Sequence, residues 1–167
     1  VVNPSAKTFT IIPFRPEYQD AVEALVLHIQ RDEFGFDVTR EQQPDLMNIT
    51  GMFQQGSGNF WVALDGEKVI GTIGIVDISN QQVALKKMFV AEEFRGKELG
   101  VGQSLLNTVF DWSRQHDIVQ IFLGTTNRMH AAHRFYEKNG FVELQKEQLP
   151  QLFPIVFVDT KFYRREL

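Results

Sequence analysis

Eight residues, Arg95-Gly96-Lys97-Glu98-Leu99-Gly100-Val101-Gly102, constrain this chain more than any others. They join an apolar strand to a helix whose inward face carries Leu105, Leu106, Val109 and Phe110. Three glycines in that span lower the steric barrier to unusual backbone angles and let a ligand approach the main chain closely. Such a loop at a helix N-terminus points free N–H groups at an anion, and the helix dipole adds to the attraction. Arg95 and Lys97 bring positive charge to the same place. The expected ligand is a phosphate or pyrophosphate, although the loop taken alone also reads as a structural turn. Rival phosphate motifs do not fit. No Gly followed after four residues by Gly-Lys-Ser/Thr is present. A dinucleotide fingerprint would need a third glycine at Leu105, and the antiparallel hairpin before the loop is wrong for it.

The length of 167 residues suits a single domain, 1–167, with a real core. A formal charge of −4 argues against general nucleic-acid binding, which needs a basic footprint. The absence of cysteine excludes disulfides, thiolate metal sites and a cysteine nucleophile. No apolar run reaches membrane-spanning length and no leader pattern is seen at Val1, so a cytoplasmic protein without a membrane partner is expected. His130 and His133 lie three apart on a helix but lack a third ligand at a telling distance, so no metal is expected.

Hydrophobic periodicity orders the elements. A first strand is expected over Phe9–Arg15 and a helix over Glu17–Gln30. A short helix follows over Asp45–Gln55. Strands Phe60–Leu64 and Lys68–Ile78 are joined by Asp65-Gly66, a hairpin signal. A strand over Gln82–Val90 leads into the glycine loop, and a helix runs from about Glu98 to His116. Val119–Leu123 reads as a buried strand, and Met129–Lys138 as a helix ended by Asn139-Gly140. Phe141–Leu144 and Ile155–Tyr163 read as the last strands. The order is β-α-α-β-β-β-α-β-α-β-β, antiparallel first and β-α-β around the loop.

From Leu85 onward the chain resembles the GNAT superfamily of N-acetyltransferases, on two separated signatures. The first is Leu85-Lys86-Lys87-Met88-Phe89-Val90 followed by Arg95-Gly96-Lys97-Glu98-Leu99-Gly100, similar to the family's acetyl-CoA motif Arg/Gln-x-x-Gly-x-Gly/Ala. The second is Asn127, then Ala131-Ala132-His133-Arg134-Phe135-Tyr136-Glu137-Lys138-Asn139-Gly140-Phe141. The resemblance implies an α+β, three-layer α/β/α acyl-CoA N-acyltransferase-like fold. Its central sheet would be mixed, mostly antiparallel, of about six or seven strands, splayed between strands 4 and 5. It also implies acetyl-CoA as cosubstrate, without a metal. One position departs: Glu98 stands where the family usually has glycine. Its backbone N–H is kept, and an acid in the first turn of a helix suits the dipole, so a solvent-facing Glu98 is expected.

Carried over by resemblance, the coenzyme would touch Met88, Phe89 and Val90 through main chain, with an N–H of Phe89 or Val90 near the acetyl oxygen. The loop Arg95, Gly96, Lys97, Glu98, Leu99, Gly100, Val101 and Gly102 would hold the diphosphate, with Asn127 and Ala132 along the arm. Met88 and Phe89 also read as core, and Asn127 equally as a helix N-cap. Periodicity alone makes Tyr136 a core aromatic. The resemblance makes it the general acid, since a phenol stays protonated at neutral pH and can donate to departing sulfur. Direct transfer of acetyl to a primary amine follows.

The general base is open. Asp77, near a strand end, and Glu33, in the first helix–helix connection, are candidates, each also readable as a solvated acid. Lys86 and Lys87 read equally as ligand candidates and as strand-face charges. The resemblance puts the acceptor against that connection and the last two strands. Asp32, Glu33, Asp37, Glu41 and Asp45 there face Arg31 and Arg40, five acids against two bases. The excess suggests a small cationic amine, with amino acids and their derivatives, peptide N-termini and protein lysines also open. Phe34, Phe36, Phe153 and Phe157 would form an apolar wall or simply core. The rival reading is a non-catalytic acyl-CoA-binding sensor that does not need Tyr136. The alternating run Val156–Tyr163 leaves a homodimer open, though an internal strand is the simpler account.

Overall fold

The computed structural model describes residues 8–167; the reading made at Val1 lies outside them. In chain order the elements are β1 Thr10–Pro13, α1 Gln19–Leu27, α2 Pro44–Met47, α3 Ile49–Phe53, β2 Asn59–Asp65, β3 Lys68–Asp77 and β4 Gln82–Val90. They continue with α4 Val101–Gln115, β5 Gln120–Thr125, α5 His130–Lys138, β6 Val142–Leu144 and β7 Lys161–Glu166. The described residues form a seven-stranded sheet of order β1-β2-β3-β4-β5-β7-β6. Its pairs are antiparallel except β4–β5, which is parallel and needs α4 as its crossover. Among the described residues no helix is long and apolar enough to cross a membrane.

Period-2 alternation explains why the sheet is covered on both faces. On β2, Phe60, Val62 and Leu64 join one buried cluster with Val22 and Val26 of α1 and Leu46, Ile49 and Phe53 of α2 and α3. Trp61 and Ala63 between them join the opposite cluster, with Val101, Leu105, Leu106 and Val109 of α4. Each such side chain contributes about 1.5–3 kcal/mol by leaving water. The β2–β3 hairpin closes at Asp65↔Lys68, with Gly66 at φ +62 in the turn as the sequence requires. Helix α5 ends where Phe141 N–H reaches Tyr136 O at 3.1 Å and Gly140 takes φ +86.

Four boundaries differ from the sequence reading. Helix α1 does not stop cleanly but widens into a π turn over His28–Glu33. The short helix splits at Asn48, whose side chain accepts from Gly51 N–H and caps the second piece. Helix α4 starts at Val101, because Gly100 takes a left-handed conformation (φ 67, ψ 24) as its N-cap. The last strand is not Ile155–Tyr163 but Lys161–Glu166. Thr160 N–H reaches Thr125 O at 2.9 Å, so pairing begins where β5 ends. Upstream of that point β5 has ended, and Asp159 N–H turns back to Val156 O at 2.9 Å.

The feature that positions the site is the parting of β4 from β5. They pair at Gln82↔Gln120, Val83↔Ile121 and Ala84↔Phe122, and no further. Beyond Leu85, β4 follows β3 instead, through a bulge: Gly74 faces Lys86 and Thr72 faces Phe89, so Lys87 and Met88 both stand opposite Ile73. Lys87 takes φ +56, and Thr72 Oγ1–H donates to its carbonyl at 2.6 Å. An extra residue on one strand bends it, and here the bend carries β4 off its parallel neighbour.

Candidate functional site

The parted strands open a cleft of about 610 Å³. Its walls are β4 from Leu85 to Phe89, β5 from Leu123 to Thr125, Ala132 and Tyr136 of α5, and the segment Phe153–Asp159. Phe34, Phe36 and Gln43, from the chain between α1 and α2, and Asp45 of α2 close the remaining side. Both the unpaired edge of β4 and that of β5 therefore border the cleft.

The glycine loop lies at the β4 end of it. A Cβ at Gly102 would sit 3.6 Å from Met88 Cε and 3.9 Å from Val90 Cγ2. Among the described residues, the N–H groups of Lys97, Glu98, Leu99, Val101 and Gly102 have no acceptor, whereas Gly100 N–H turns inward to Gly96 O at 3.2 Å. Gly96, at φ +113, permits that fold of the loop. Several donors of one short segment are thus left open at a helix N-terminus, an arrangement suited to a diphosphate. Glu98 is exposed, as expected, but it precedes the helix in a turn and is not part of the first helical turn.

Arg95 is committed elsewhere. Its Nε–H donates to Val90 O at 2.8 Å, and its guanidinium lies 2.6 Å from Glu33 Oε2. The pair ties the loop to the end of the π turn, and Glu33 is not among the cleft residues. Asp77 is not there either. Its carboxylate accepts N–H bonds from Ser57 (3.1 Å) and Ser79 (2.8 Å), which hold it below the usual carboxylate range. Neither of the two base candidates read from the sequence reaches the cleft.

Tyr136 does. It is buried, and its hydroxyl points to Met88 Sδ at 3.7 Å, so α5 meets β4 just where the strands part. Burial, and then the charge of Asp159, push its phenol well above the ordinary value, so it remains protonated. Gln103 on the first turns of α4 and Asn139 at the end of α5 exchange amide hydrogen bonds of 2.8 and 3.1 Å, fixing the two helices together. Asn127 is exposed in the turn after β5, where its own N–H donates to Thr160 Oγ1 at 3.1 Å. The N-cap of α5 falls at Met129, so Asn127 does not cap it. Ala132 lines the cleft. His133 Nε2–H donates to Thr126 O at 2.7 Å. Among the described residues no group of three or more His, Cys, Asp or Glu could hold a metal.

Two sets of charges in the cleft go beyond the sequence reading, which does not single out Asp159 and leaves Lys86 and Lys87 open between ligand and strand-face charge. Asp159 lies against Gly124 so closely that a Cβ there would stand 2.5 Å from its Oδ2. Burial raises its carboxyl to about 6, against the opposing pull of the Val156 N–H and of Lys86 and Lys87. The second set is an ion cluster: Lys86 Nζ is 2.5 Å and Lys87 Nζ 3.6 Å from the carboxylate of the buried Asp45. Lys87 also donates to Gln43 Oε1 at 2.6 Å. The sequence marks Asp45 only as one of an acidic excess. The structure distributes that excess: Asp45 to the lysines, Glu33 to Arg95, and Asp32 to His28 at 2.8 Å.

Comparison with known proteins places this arrangement. Residues 56–143 match the family described as "Acetyltransferase (GNAT) domain". A crystal structure of a GNAT-family acetyltransferase from Staphylococcus aureus Mu50 is 36% identical, with a TM-score of 0.92 over 95% of this chain and 99% of that one. The Xenopus tropicalis protein named "Probable N-acetyltransferase camello" is 32% identical over 123 residues, 72% of this chain and 55% of that protein. The chain thus spans about half the length of the curated relatives it matches. The PaiA N-acetyltransferase of Thermoplasma acidophilum, solved in complex with coenzyme A, shares the fold at 15% identity. Its TM-score is 0.74 over 96% of this chain and 99% of that one.

Proposed function

We propose, for a chain that belongs to the GNAT acetyltransferase family, that it moves the acetyl group of acetyl-CoA directly to a primary amine. The observation that carries the reading is the Tyr136 hydroxyl, protonated and buried at the point where β4 and β5 separate. Acetyl-CoA supplies an activated thioester carbonyl; everything else asked of the site is positioning and proton transfer. The open N–H groups of Lys97, Glu98, Leu99, Val101 and Gly102 would hold its diphosphate, with Lys97 adding charge. Gly96 and Gly100 keep that loop in shape, while Arg95 fixes its entry to β4. The main chain at Met88, Phe89 and Val90, freed from β5, would follow the arm, with Ala132 opposite and Asn127 at the rim.

An amine attacks only when neutral, so an incoming ammonium must first lose a proton. Asp159, raised to about 6 and on the same cleft, is placed to take it. As the new C–N bond forms and the C–S bond breaks, Tyr136 Oη–H gives its proton to the departing sulfur. The second nitrogen proton, lost once the C–N bond has formed, reprotonates the phenolate through water, and Asp159 releases its own proton to solvent, so both groups are restored and one proton is released per turnover. Tyr136→Phe tests the reading. Turnover should fall by about a hundredfold or more, the usual worth of a general acid, while acetyl-CoA affinity stays within about threefold. Unchanged turnover would reject the role, and a non-catalytic sensor would show no turnover in either protein.

A further inference from the structure

The charges lining the acceptor side of the cleft are more specific than an amine requires. Consecutive residues of a regular strand point to opposite faces. The bulge breaks that rule: with Lys87 at φ +56, Lys86 and Lys87 both reach the one carboxylate of Asp45. A left-handed, non-glycine backbone is costly, so the surrounding packing must hold it there. The three side chains are only 18%, 10% and 10% exposed. Two ammoniums contact one carboxylate in a poorly hydrated place, and the remaining positive charge is answered through space by Asp159; a cation bound to Asp159 takes that answer away unless it brings an anion to the lysines. Each ammonium has three donors, and the contacts to Asp45 and Gln43 leave donors to spare on both. Asp159, on the same cleft, supplies the opposite pole. Between and beyond them the lining is apolar, with Phe34, Phe36, Val156 and Phe157. Asp37 and Glu41, the other acids of this region, do not line the cleft.

We infer that the acceptor is a free α-amino acid with an apolar side chain, its carboxylate on Lys86 and Lys87 and its amine on Asp159, a reading that rests on the transferase assignment above. A zwitterion satisfies both poles. A simple cationic amine meets Asp159 but leaves the lysine pair uncompensated.

Matched acceptors test it on the wild-type protein, read by release of free coenzyme A. Phenylalanine is compared with phenethylamine and with phenylalanine methyl ester, and leucine with isoamylamine. The amino acids should exceed their carboxylate-free partners in kcat/KM by about tenfold or more, because unmet buried donors discriminate strongly against an analogue lacking the acceptor group. Lys87→Met should shrink that ratio to about threefold or less, with circular dichroism reporting whether the variant folds. The wild-type comparison stands without it. Equal or better use of any carboxylate-free amine overturns the carboxylate site while leaving the transferase intact. No turnover with any amine overturns both, and an acetyl-CoA titration of the same sample then shows whether coenzyme binding has survived.

Discussion

Asp159 should make the protein less stable and more active at once, and replacing it with asparagine separates the two effects. In the folded chain its carboxyl rises from 3.8 to about 6, because burial penalises the charged form more than Val156 N–H, Lys86 and Lys87 favour it. The folded state therefore holds this proton more tightly than the unfolded chain does. Its stabilising effect is complete below pH 3.8 and is lost as pH rises through about 6, above which nothing further changes. At about 1.4 kcal/mol per tenfold in proton affinity, the whole loss is at most about 3 kcal/mol. Asparagine keeps the shape and has no charge to desolvate. Urea melts of Asp159→Asn and wild type should coincide near pH 4 and diverge by pH 8, the variant being more stable by up to about 3 kcal/mol. In thermal melts that corresponds to roughly 6–12 °C for a domain of this size. Turnover moves the other way: kcat/KM should fall by about a hundredfold and its acid limb near pH 6 should vanish. A stability difference equal at both pH values would refute the burial argument. An unaltered pH–rate profile would refute the base.

Asp45→Ala leaves the two half-buried lysines without their counter-charge and should cost about 3–5 kcal/mol in urea denaturation; a loss below about 1 kcal/mol would mean both chains swing into water. Gly74→Ala places a Cβ 2.6 Å from Phe60 Cδ2 and 2.7 Å from Phe53 Cε1. These rings are fully buried and packed edge to face, so about 1–3 kcal/mol should be lost in thermal denaturation. Gly102→Val brings a branched side chain against Met88, beside the open amides, and should weaken acetyl-CoA binding by about tenfold or more in calorimetry while circular dichroism stays unchanged.

What the sequence discloses of this protein is what neighbouring residues encode by themselves. Gly96, Gly100 and Gly102 announce a loop with exposed amides because backbone freedom is a property of each residue. Asn139-Gly140 announces the end of α5 for the same reason, and the unbroken apolar run Phe60–Leu64 announces a strand buried on both faces. Tyr136 needs the family signature as well, since helical periodicity alone makes it core, and in the structure it is both buried and on the cleft.

The acceptor chemistry is hidden by a rule that holds elsewhere in the chain. Lys86 and Lys87 stay open between ligand and strand-face charge in the sequence, because adjacent residues of a regular strand diverge; the bulge makes them converge, and no glycine marks the spot. Val156-Phe157-Val158 reads as strand because it alternates, but alternation makes a strand only beside a partner. Phe157 is 77% exposed, and the stretch becomes a cleft wall that delivers Asp159. Pro150 and Pro154, with Asp159-Thr160, are the turn-forming residues that could have warned against it. Asp77 and Glu33 mislead in the opposite sense: each is an acid at the edge of a plausible site, yet one stitches a turn and the other a loop. The lysine pair is concealed by the bulge in β4, which also bends that strand away from β5 and opens the cleft. Asp159 is concealed by where β5 ends: pairing with the last strand starts at Thr160, and the segment before it turns back on itself as a wall of the cleft. Long-range pairing decisions, invisible to local periodicity, thus build the cleft and choose the charges in it.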